Sequence, residues 1–256
     1  MKIIFHEKFY NRYTGDPAAS NGRLEPIIDK LKENSRIYEF IKPNPATKED
    51  ILRAHTTNHY ENIKRSKKIF DYAKLAAGGA IRAGNLACDG DPAFAVIRPP
   101  GHHASANSCW GFCFFNNISV SLLNLVSKGK ISSAFILDFD LHTGDGNINI
   151  LEKKKDFIHT KILNPRSSQE KYYLNEIDQT FKNSAKFDII VASAGFDEYI
   201  KDWGGKLSTK AYNEIGKMMK DFAVDKCNGR RYALLEGGYY HEDLGINVDS
   251  FCKGLM

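Results

Sequence analysis

The sequence predicts an α/β fold, in which a mostly parallel sheet carries helices on both faces. Short runs of β-branched and aromatic residues alternate with longer amphipathic stretches, the order expected of strands joined by crossover helices. Most of the short runs are apolar almost throughout, as strands are when both faces of their sheet are buried. The predicted strands lie at residues 2–5, 94–97, 133–138, 157–163, 188–192 and 232–235.

Six amphipathic stretches predict the helices that cover this sheet. Their apolar residues recur at the spacing of one helix face. The predicted helices lie at residues 22–33, 48–55, 74–87, 117–127, 209–224 and 244–255. No internal repeat, low-complexity segment or Pro/Gly/Ser-rich linker interrupts the chain, so we expect residues 1–256 to form a single domain.

The composition is that of a globular protein rather than of a nucleic-acid-binding or membrane protein. The 256 residues are 42% hydrophobic and carry a net charge of +5. The densest basic run, at residues 153–155, is followed by Asp156, which is typical of a solvated helix face and not of a nucleic-acid site. The N-terminal apolar run is too short for a signal peptide, and no segment approaches the ~18 apolar residues of a membrane span. We therefore expect a cytoplasmic protein without a nucleic-acid or membrane partner.

The cysteines indicate free thiols rather than a disulfide framework. The five cysteines are odd in number and form no CxxC pair. This pattern also argues against a thiolate zinc site.

Polar residues follow four of the predicted strands. They lie in the segments 98–104, 138–146, 193–197 and 236–239. In open parallel sheets ligands bind beyond the carboxyl ends of the strands, where such loops converge. The sequence therefore predicts a functional site at this edge of the sheet.

Asp140 and His142 predict part of a metal site. They lie two residues apart, so an extended backbone directs both side chains to the same side. Carboxylate oxygen and imidazole nitrogen suit zinc, and a third ligand would leave the fourth position open for water. Asp197 is the best candidate for that third ligand. Taken alone, the DxDxH string is equally compatible with Asp138 and Asp140 capping the next helix.

His102 and His103 predict an acid–base pair. Two prolines and a glycine precede them and stiffen their loop. A histidine that acts as a base needs a partner on its other ring nitrogen, and Asp138 and Asp145 are carboxylates not required as metal ligands. Tyr239, after a Gly-Gly pair, could donate its hydroxyl to a developing oxyanion. The alternatives are loop histidines without a catalytic role and a core tyrosine.

Five motifs occur in the order that is found in a known hydrolase family. They are RPPGHHA at 98–104, WGFCFFNN at 110–117, ILDFDLHTGDG at 136–146, SAGFD at 193–197 and LEGGY at 235–239. In sequence and order they resemble the histone deacetylase and acetylpolyamine amidohydrolase family, and the similarity extends over nearly the whole chain. The resemblance implies an arginase/deacetylase-like fold of three αβα layers.

The resemblance also implies the ions that the protein holds. Zinc would be bound by Asp140, His142 and Asp197, and ferrous iron could replace zinc because the same ligands accept either metal. A structural potassium ion near the DxDxH loop would be held mostly by backbone carbonyls, to which Asp138 could contribute.

The same resemblance assigns roles to the two histidines and to Tyr239. It pairs His102 with Asp138 and His103 with Asp145. His103 would be the main general base and acid, while His102 contributes electrostatically. Tyr239 would donate a hydrogen bond to the substrate carbonyl.

The substrate-binding residues also follow from the resemblance. Phe112 matches an aromatic wall of the acyl-lysine tunnel, and Gly111, Gly237 and Gly238 complete the expected substrate-binding set. Arg23 matches, less specifically, an arginine of the channel through which acetate leaves.

The chain departs from the family pattern at two places. Thr143 stands where many relatives carry a second histidine after the ligand histidine. The loop that begins at Asn164 is shorter than in many relatives and lacks their aromatic and Gly-rich segment. One wall of the tunnel is therefore expected to be missing or supplied from elsewhere.

These features predict a zinc-dependent amidohydrolase that removes acetyl groups from acetyl-lysine in proteins or from acetylpolyamines. One alternative is an arginase-like ureohydrolase with two metal ions, although the spare carboxylates are better used in orienting the histidines. A second alternative is an acyl-lysine-binding module with weak catalysis, although a binder needs no acid–base residues. The sequence leaves the substrate and a homo-oligomeric assembly open.

Overall fold

All residues from 1 to 256 are described by the computed structural model, which contains one seven-stranded sheet. Every pair of neighbouring strands is parallel, and the spatial order is β2-β1-β3-β7-β6-β4-β5. The strands are β1 Lys2–Ile4, β2 Glu39–Ile41, β3 Ala93–Ala95, β4 Ser133–Asp138, β5 His159–Leu163, β6 Ile189–Ala194 and β7 Arg231–Leu235. The predicted α/β class with a parallel sheet is confirmed.

Nine α-helices and two short 3-10 helices accompany the sheet. The 3-10 helices are Glu7–Tyr10 and Pro17–Ala19. The α-helices are α1 Glu25–Glu33, α2 Lys48–Leu52, α3 Thr57–Lys64, α4 Lys67–Cys88, α5 Asn117–Ser127, α6 Asp145–Lys153, α7 Glu170–Lys182, α8 Thr209–Lys226 and α9 His241–Leu255. No helix is long and apolar enough to cross a membrane.

Successive residues of β7 show that helices cover both faces of the sheet. Side chains alternate between the faces along a strand. Arg231 points to one face, where its Nε donates to the carbonyl of Leu255 in α9 at 2.6 Å. Tyr232 points to the other, where its hydroxyl lies 3.0 Å from Ser121 Oγ of α5. The α4 and α5 helices thus pack on one face, and α9 packs on the other with α1 and α8.

The long helix α4 packs closely against its neighbours because it contains small residues. A Cβ atom at Gly79 would come within 2.7 Å of the Ile97 side chain, and one at Gly84 within 2.6 Å of Ser121 Oγ. Both distances are shorter than carbon atoms tolerate in van der Waals contact. Glycine therefore sets the spacing of α4 from the Ile97 side chain beyond β3 at position 79 and from α5 at position 84.

Several elements differ from the prediction. The α4 helix begins at Lys67, seven residues before the predicted start at 74; its first two residues, Lys67 and Lys68, are exposed, whereas Ile69 and Phe70 are half-buried. The strand β2 and the helices α3, α6 and α7 were not predicted. β2 is a three-residue edge strand whose side chains are largely accessible, so it lacks the apolar run of a central strand.

The topology places the polar loops together. Strands β3, β7, β6 and β4 are consecutive neighbours in the sheet, and each of the four predicted polar segments follows one of them. Because all strands are parallel, their carboxyl ends share one edge. The residues that follow these four strands therefore meet at one place.

Candidate active site

A cavity of ≈ 140 Å³ opens at this edge of the sheet. Eight of the residues predicted for the site line it: His102, His103, Gly111, Phe112, Asp140, His142, Gly237 and Tyr239. Four further residues complete the lining: Pro100, Trp110, Cys113 and Trp203. The loops of four strands thus contribute to one pocket.

Three side chains converge as candidate metal ligands at the base of this cavity. His142 Nδ1 lies 3.4 Å from Asp140 Oδ1 and 3.8 Å from Asp197 Oδ2. Four ligand atoms held tetrahedrally at about 2.0–2.1 Å from zinc would be roughly 3.3–3.4 Å apart. Both carboxylates are buried, whereas the His142 side chain is 44% exposed. The spacing and the donor types fit a tetrahedral cation.

Backbone groups hold the two carboxylates in place. Asp140 follows β4 and accepts hydrogen bonds from the backbone N–H of His142 at 2.9 Å and of Gly237 at 2.8 Å. Asp197 follows β6, and its Oδ1 accepts from the Leu141 N–H at 3.1 Å. Gly237 must lack a side chain, because a Cβ there would lie 2.6 Å from Asp140 Oδ2 and collide with Asp197.

Asp197 has a buried oxygen without a hydrogen-bond partner, as expected of a metal ligand. Its Oδ2 is buried and has no hydrogen-bond partner. Burial and the neighbouring Asp140 carboxylate raise the pKa of Asp197 well above its ordinary value. Two buried carboxylates whose oxygens lie within 4.8 Å of each other disfavour each other's charge unless a cation neutralises them. The residues present therefore fit a divalent metal ion.

His102 forms the deeper of two His–Asp pairs. Its Nδ1 lies 3.3 Å from Asp138 Oδ2, and both side chains are buried. Asp138, the last residue of β4, also accepts from Asn147 Nδ2 at 3.4 Å and from the Asp140 N–H at 3.3 Å. Burial lowers the pKa of His102, but the Asp140 and Asp138 carboxylates outweigh it and raise the pKa well above its ordinary value.

His103 forms the second pair, which lies nearer the solvent. Its Nδ1 is 2.7 Å from Asp145 Oδ1, and the Asp145 side chain, in the first turn of α6, is 49% exposed. Because Asp145 engages Nδ1, Nε2 is the nitrogen available to the cavity. Burial and the neighbouring His102 lower the pKa of His103 to about 4. His103 is therefore neutral at pH 7.

A buried glutamate supports the loop that carries both histidines. Glu236 Oε2 accepts from the backbone N–H groups of Gly101 at 2.7 Å and His102 at 3.2 Å. Burial raises the pKa of Glu236 to about 7. Asn116 adds a hydrogen bond from Nδ2 to the carbonyl of Ala104 at 3.0 Å. The sequence analysis did not identify the supporting roles of Glu236 and Asn116, and the only signal for them was that each residue lies within one of the five motifs.

Tyr239 forms part of the cavity wall rather than the core. Its ring stacks on Trp203 at a centroid distance of 4.1 Å and meets the edge of Phe112 at 5.9 Å. Asp202 holds its backbone, accepting the N–H groups of Tyr239 at 2.6 Å and Tyr240 at 2.7 Å. Burial raises the pKa of Tyr239 well above its ordinary value, so its hydroxyl stays protonated.

Gly238, predicted to bind substrate, and Arg23, predicted to belong to the acetate-release channel, are not among the residues that line the cavity. Gly238 does not line it, because a Cβ there would point to Phe196 and Leu244 and its φ is +115°. Its predicted contact with substrate stays a prediction. Its carbonyl accepts a 2.8 Å bond from Nε of Arg23, which is fully buried behind Tyr239 and does not line the cavity either.

The two departures from the family pattern contact each other. Arg166, in the short loop after β5, hydrogen-bonds to Thr143 beside the candidate ligand His142. Asn164 of the same loop donates to the Asp138 carbonyl at 3.0 Å. The loop contributes no residue to the cavity, and the aromatic wall is instead supplied by Trp110 and Trp203 along with Phe112 and Tyr239.

Comparison with known proteins decides the family. The histone deacetylase domain family matches two overlapping segments, residues 18–165 and 159–255, and so spans most of the sequence. The chain belongs to the histone deacetylase family. This confirms the resemblance drawn from the motifs and makes the protein a member of a family of deacetylases and related amidohydrolases.

The similarity to individual members of the histone deacetylase family extends over nearly the full chain. A probable deacetylase from Archaeoglobus fulgidus is 32% identical, with 93% of this chain and 80% of that protein covered. A probable deacetylase from Methanothermobacter thermautotrophicus is 27% identical, with 99% and 90% covered. The fold matches the crystal structure of the HDA15 HD domain with a TM-score of 0.84, at 21% identity over 99% of this chain and 88% of that one.

Proposed function

We propose that this histone deacetylase-family protein is a zinc-dependent hydrolase that removes acetyl groups from primary amines. The observation that carries the proposal is that one cavity is lined by two of the three metal donors, by His103 of the His103–Asp145 pair and by Tyr239, with the third donor, Asp197, directly beside them. A metal site, a positioned base and an oxyanion donor are the parts that metal-assisted amide hydrolysis requires.

Asp140, His142 and Asp197 would hold the metal. When bound, zinc would polarise the acyl carbonyl and lower the pKa of a water molecule from ~15.7 toward ~7. Ferrous iron satisfies the same donors. The structural potassium ion stays a prediction.

His103 would move the protons. Its neutral Nε2 accepts a proton from the attacking water, while Asp145 holds Nδ1 and stabilises the imidazolium that forms. The same nitrogen then returns the proton to the departing amine. His102, fully buried against Asp138, contributes positive charge rather than proton transfer.

Tyr239 would stabilise the tetrahedral oxyanion. Its raised pKa keeps the hydroxyl as a donor. The stack on Trp203 and the two backbone bonds to Asp202 fix the direction of the side chain before substrate arrives. Such a prearranged donor needs no reorganisation during the reaction.

The cavity lining favours acetyl-lysine over acetylpolyamines as the substrate. Apart from the candidate ligand Asp140, no carboxylate lines the cavity. The nearby Asp145 carboxylate does not line the cavity, and both of its oxygens are engaged, by His103 and by Trp110. A polyamine carries further ammonium groups that carboxylates in the lining would attract, and apart from the candidate ligand the lining offers none.

The test is acetate release from an acetyl-lysine peptide and an acetylpolyamine, measured side by side with zinc-loaded protein. An Asp197→Ala variant, with its fold checked by circular dichroism, is the control. We expect release in the wild type, faster from the peptide, and only background release in the control. Equal activity in both proteins would contradict the proposal.

The test also separates the competing functions. Tight binding of acetyl-lysine without turnover would favour a binding module instead, and hydrolysis of guanidino substrates would favour a ureohydrolase.

A further inference from the structure

Trp110 contacts both members of the His103–Asp145 pair. Its indole Nε1–H donates to Asp145 Oδ2 at 2.8 Å, while Asp145 Oδ1 accepts from His103 at 2.7 Å. Its ring lies over the His103 ring, with centroids 3.7 Å apart and an angle of 32° between the planes. No other side chain touches this pair in both ways.

The backbone beside Trp110 is shaped to allow this contact. Gly111 adopts φ = +62°, a conformation that side-chain-bearing residues rarely adopt. A Cβ atom at Gly111 would lie 3.0 Å from His103 Cδ2. The chain therefore turns tightly against the imidazole, and the turn brings the indole over it.

The pair needs an external support because Asp145 is half exposed. A carboxylate at the surface is hydrated and free to rotate, so a single bond to His103 would leave its plane undefined. The Trp110 N–H engages the second oxygen and thereby fixes the plane. The His102 ring also lies close to the imidazole, at a centroid distance of 4.0 Å and an angle of 43° between the planes. His103 thus contacts two rings and one oriented carboxylate.

We infer that Trp110 is a positioning residue, which orients His103 for proton transfer through Asp145 and shields it from water. This inference rests on the proposed function of His103 as the base. Because Trp110 also lines the cavity and is 52% exposed, its ring could in addition contact the substrate. The two contributions separate kinetically, since orientation acts on kcat and substrate contact acts on KM.

The first experiment replaces the indole with a ring that has no N–H group. Trp110→Phe keeps an aromatic ring against His103 but removes the bond to Asp145. We expect kcat for an acetyl-lysine peptide to fall roughly 10-fold, the effect of losing one hydrogen bond to a charged group, with KM changed less than about 2-fold. A rise in KM at unchanged kcat would overturn the inference, as would wild-type kinetics.

A double-mutant cycle then tests whether Trp110 acts through Asp145. In an Asp145→Ala background the indole has no acceptor, so Trp110→Phe should lower kcat by less than about 2-fold further. The same 10-fold loss in both backgrounds would show that Trp110 acts independently of the carboxylate and would overturn the inference.

Fluorescence provides a readout that needs neither metal nor substrate. The protein has two tryptophans, so Trp203→Phe leaves Trp110 as the sole indole. In this protein, Asp145→Ala should shift the emission to longer wavelength and increase quenching by acrylamide, because the indole is released to water. Unchanged emission would overturn the inferred contact.

Failure of the inference and failure of the proposed function are distinguishable. An active wild type with an equally active Trp110→Phe variant overturns the role of Trp110 alone. A zinc-loaded wild type that releases no acetate overturns both.

Discussion

His102 and His103 are adjacent in sequence and each hydrogen-bonds to an aspartate, yet the two pairs lie in opposite surroundings. Asp138 is fully buried and makes two further hydrogen bonds, whereas Asp145 is half exposed and is fixed by Trp110. The pKa of His102 is raised and that of His103 is lowered. We propose that these similar residues serve two purposes because of their environment: the buried pair would supply charge and stability, and the half-exposed pair would supply a neutral base.

The largest difference between the pairs should appear in catalysis. His103→Ala removes the proton carrier and should lower kcat by about 10²- to 10⁴-fold, the usual contribution of a general base. His102→Ala removes only an electrostatic contribution and should cost less. Steady-state kinetics with metal content measured in each variant checks this. A larger loss on removal of His102 would reverse the assignment of the base.

The second difference should appear in stability, with the order reversed. Asp138→Ala breaks a buried pair and should lower the free energy of unfolding by about 3–5 kcal/mol. Asp145→Ala breaks a half-exposed one and should cost no more than about 1 kcal/mol. Urea denaturation of the metal-free proteins measures both. Equal losses would mean that burial does not distinguish the pairs.

The smallest effect concerns the pH dependence of stability in the metal-free protein. The folded pKa of His103, about 4, lies below the unfolded value of ~6.5, so the unfolded state binds more protons between these pH values and stability falls as the pH is lowered through this window. For His102 the folded pKa lies above the unfolded value. Its contribution is therefore complete below about pH 6.5 and is lost as the pH rises through the folded pKa.

Single variants can separate the opposite contributions of His102 and His103 to the pH dependence of stability. His103→Asn should flatten the acid side of the stability profile and His102→Asn the alkaline side, as measured by thermal unfolding from pH 4 to 9 in the presence of a chelator. Identical profiles for the two variants would contradict the opposite pKa directions.

Much of the fold was predictable where the local signal and the tertiary role agree. The strand β4 and the helix α5 have the predicted bounds, 133–138 and 117–127. The strand is an almost continuous apolar run, and the helix begins directly after its capping residue, Asn116. The helix α7 was missed although Tyr173, Ile177 and Phe181 recur every four residues on its buried side. This four-residue apolar spacing was overlooked because the residues between these three are mostly polar or charged.

The site was predictable to a different extent. The two-residue spacing was enough to predict that Asp140 and His142 point to the same site. The pairing of His102 and His103 with their aspartates was predicted only from the family resemblance, because those partners lie 36 and 42 residues away in the sequence. Asp202 and Trp203 hold Tyr239 from a separate loop, and no local pattern marks such a long-range contact. The bond of Trp110 to Asp145 is likewise visible only in the folded chain.

The central claim is that one metal ion and His103 together hydrolyse an acyl amide. The most direct measurement titrates metal-free protein with zinc while acetate release from an acetyl-lysine peptide is followed. We expect activity to rise linearly and to level off at one zinc per chain, and a His103→Ala variant to bind the same single zinc without comparable activity. A requirement for two zinc ions, or full activity without His103, would contradict the account.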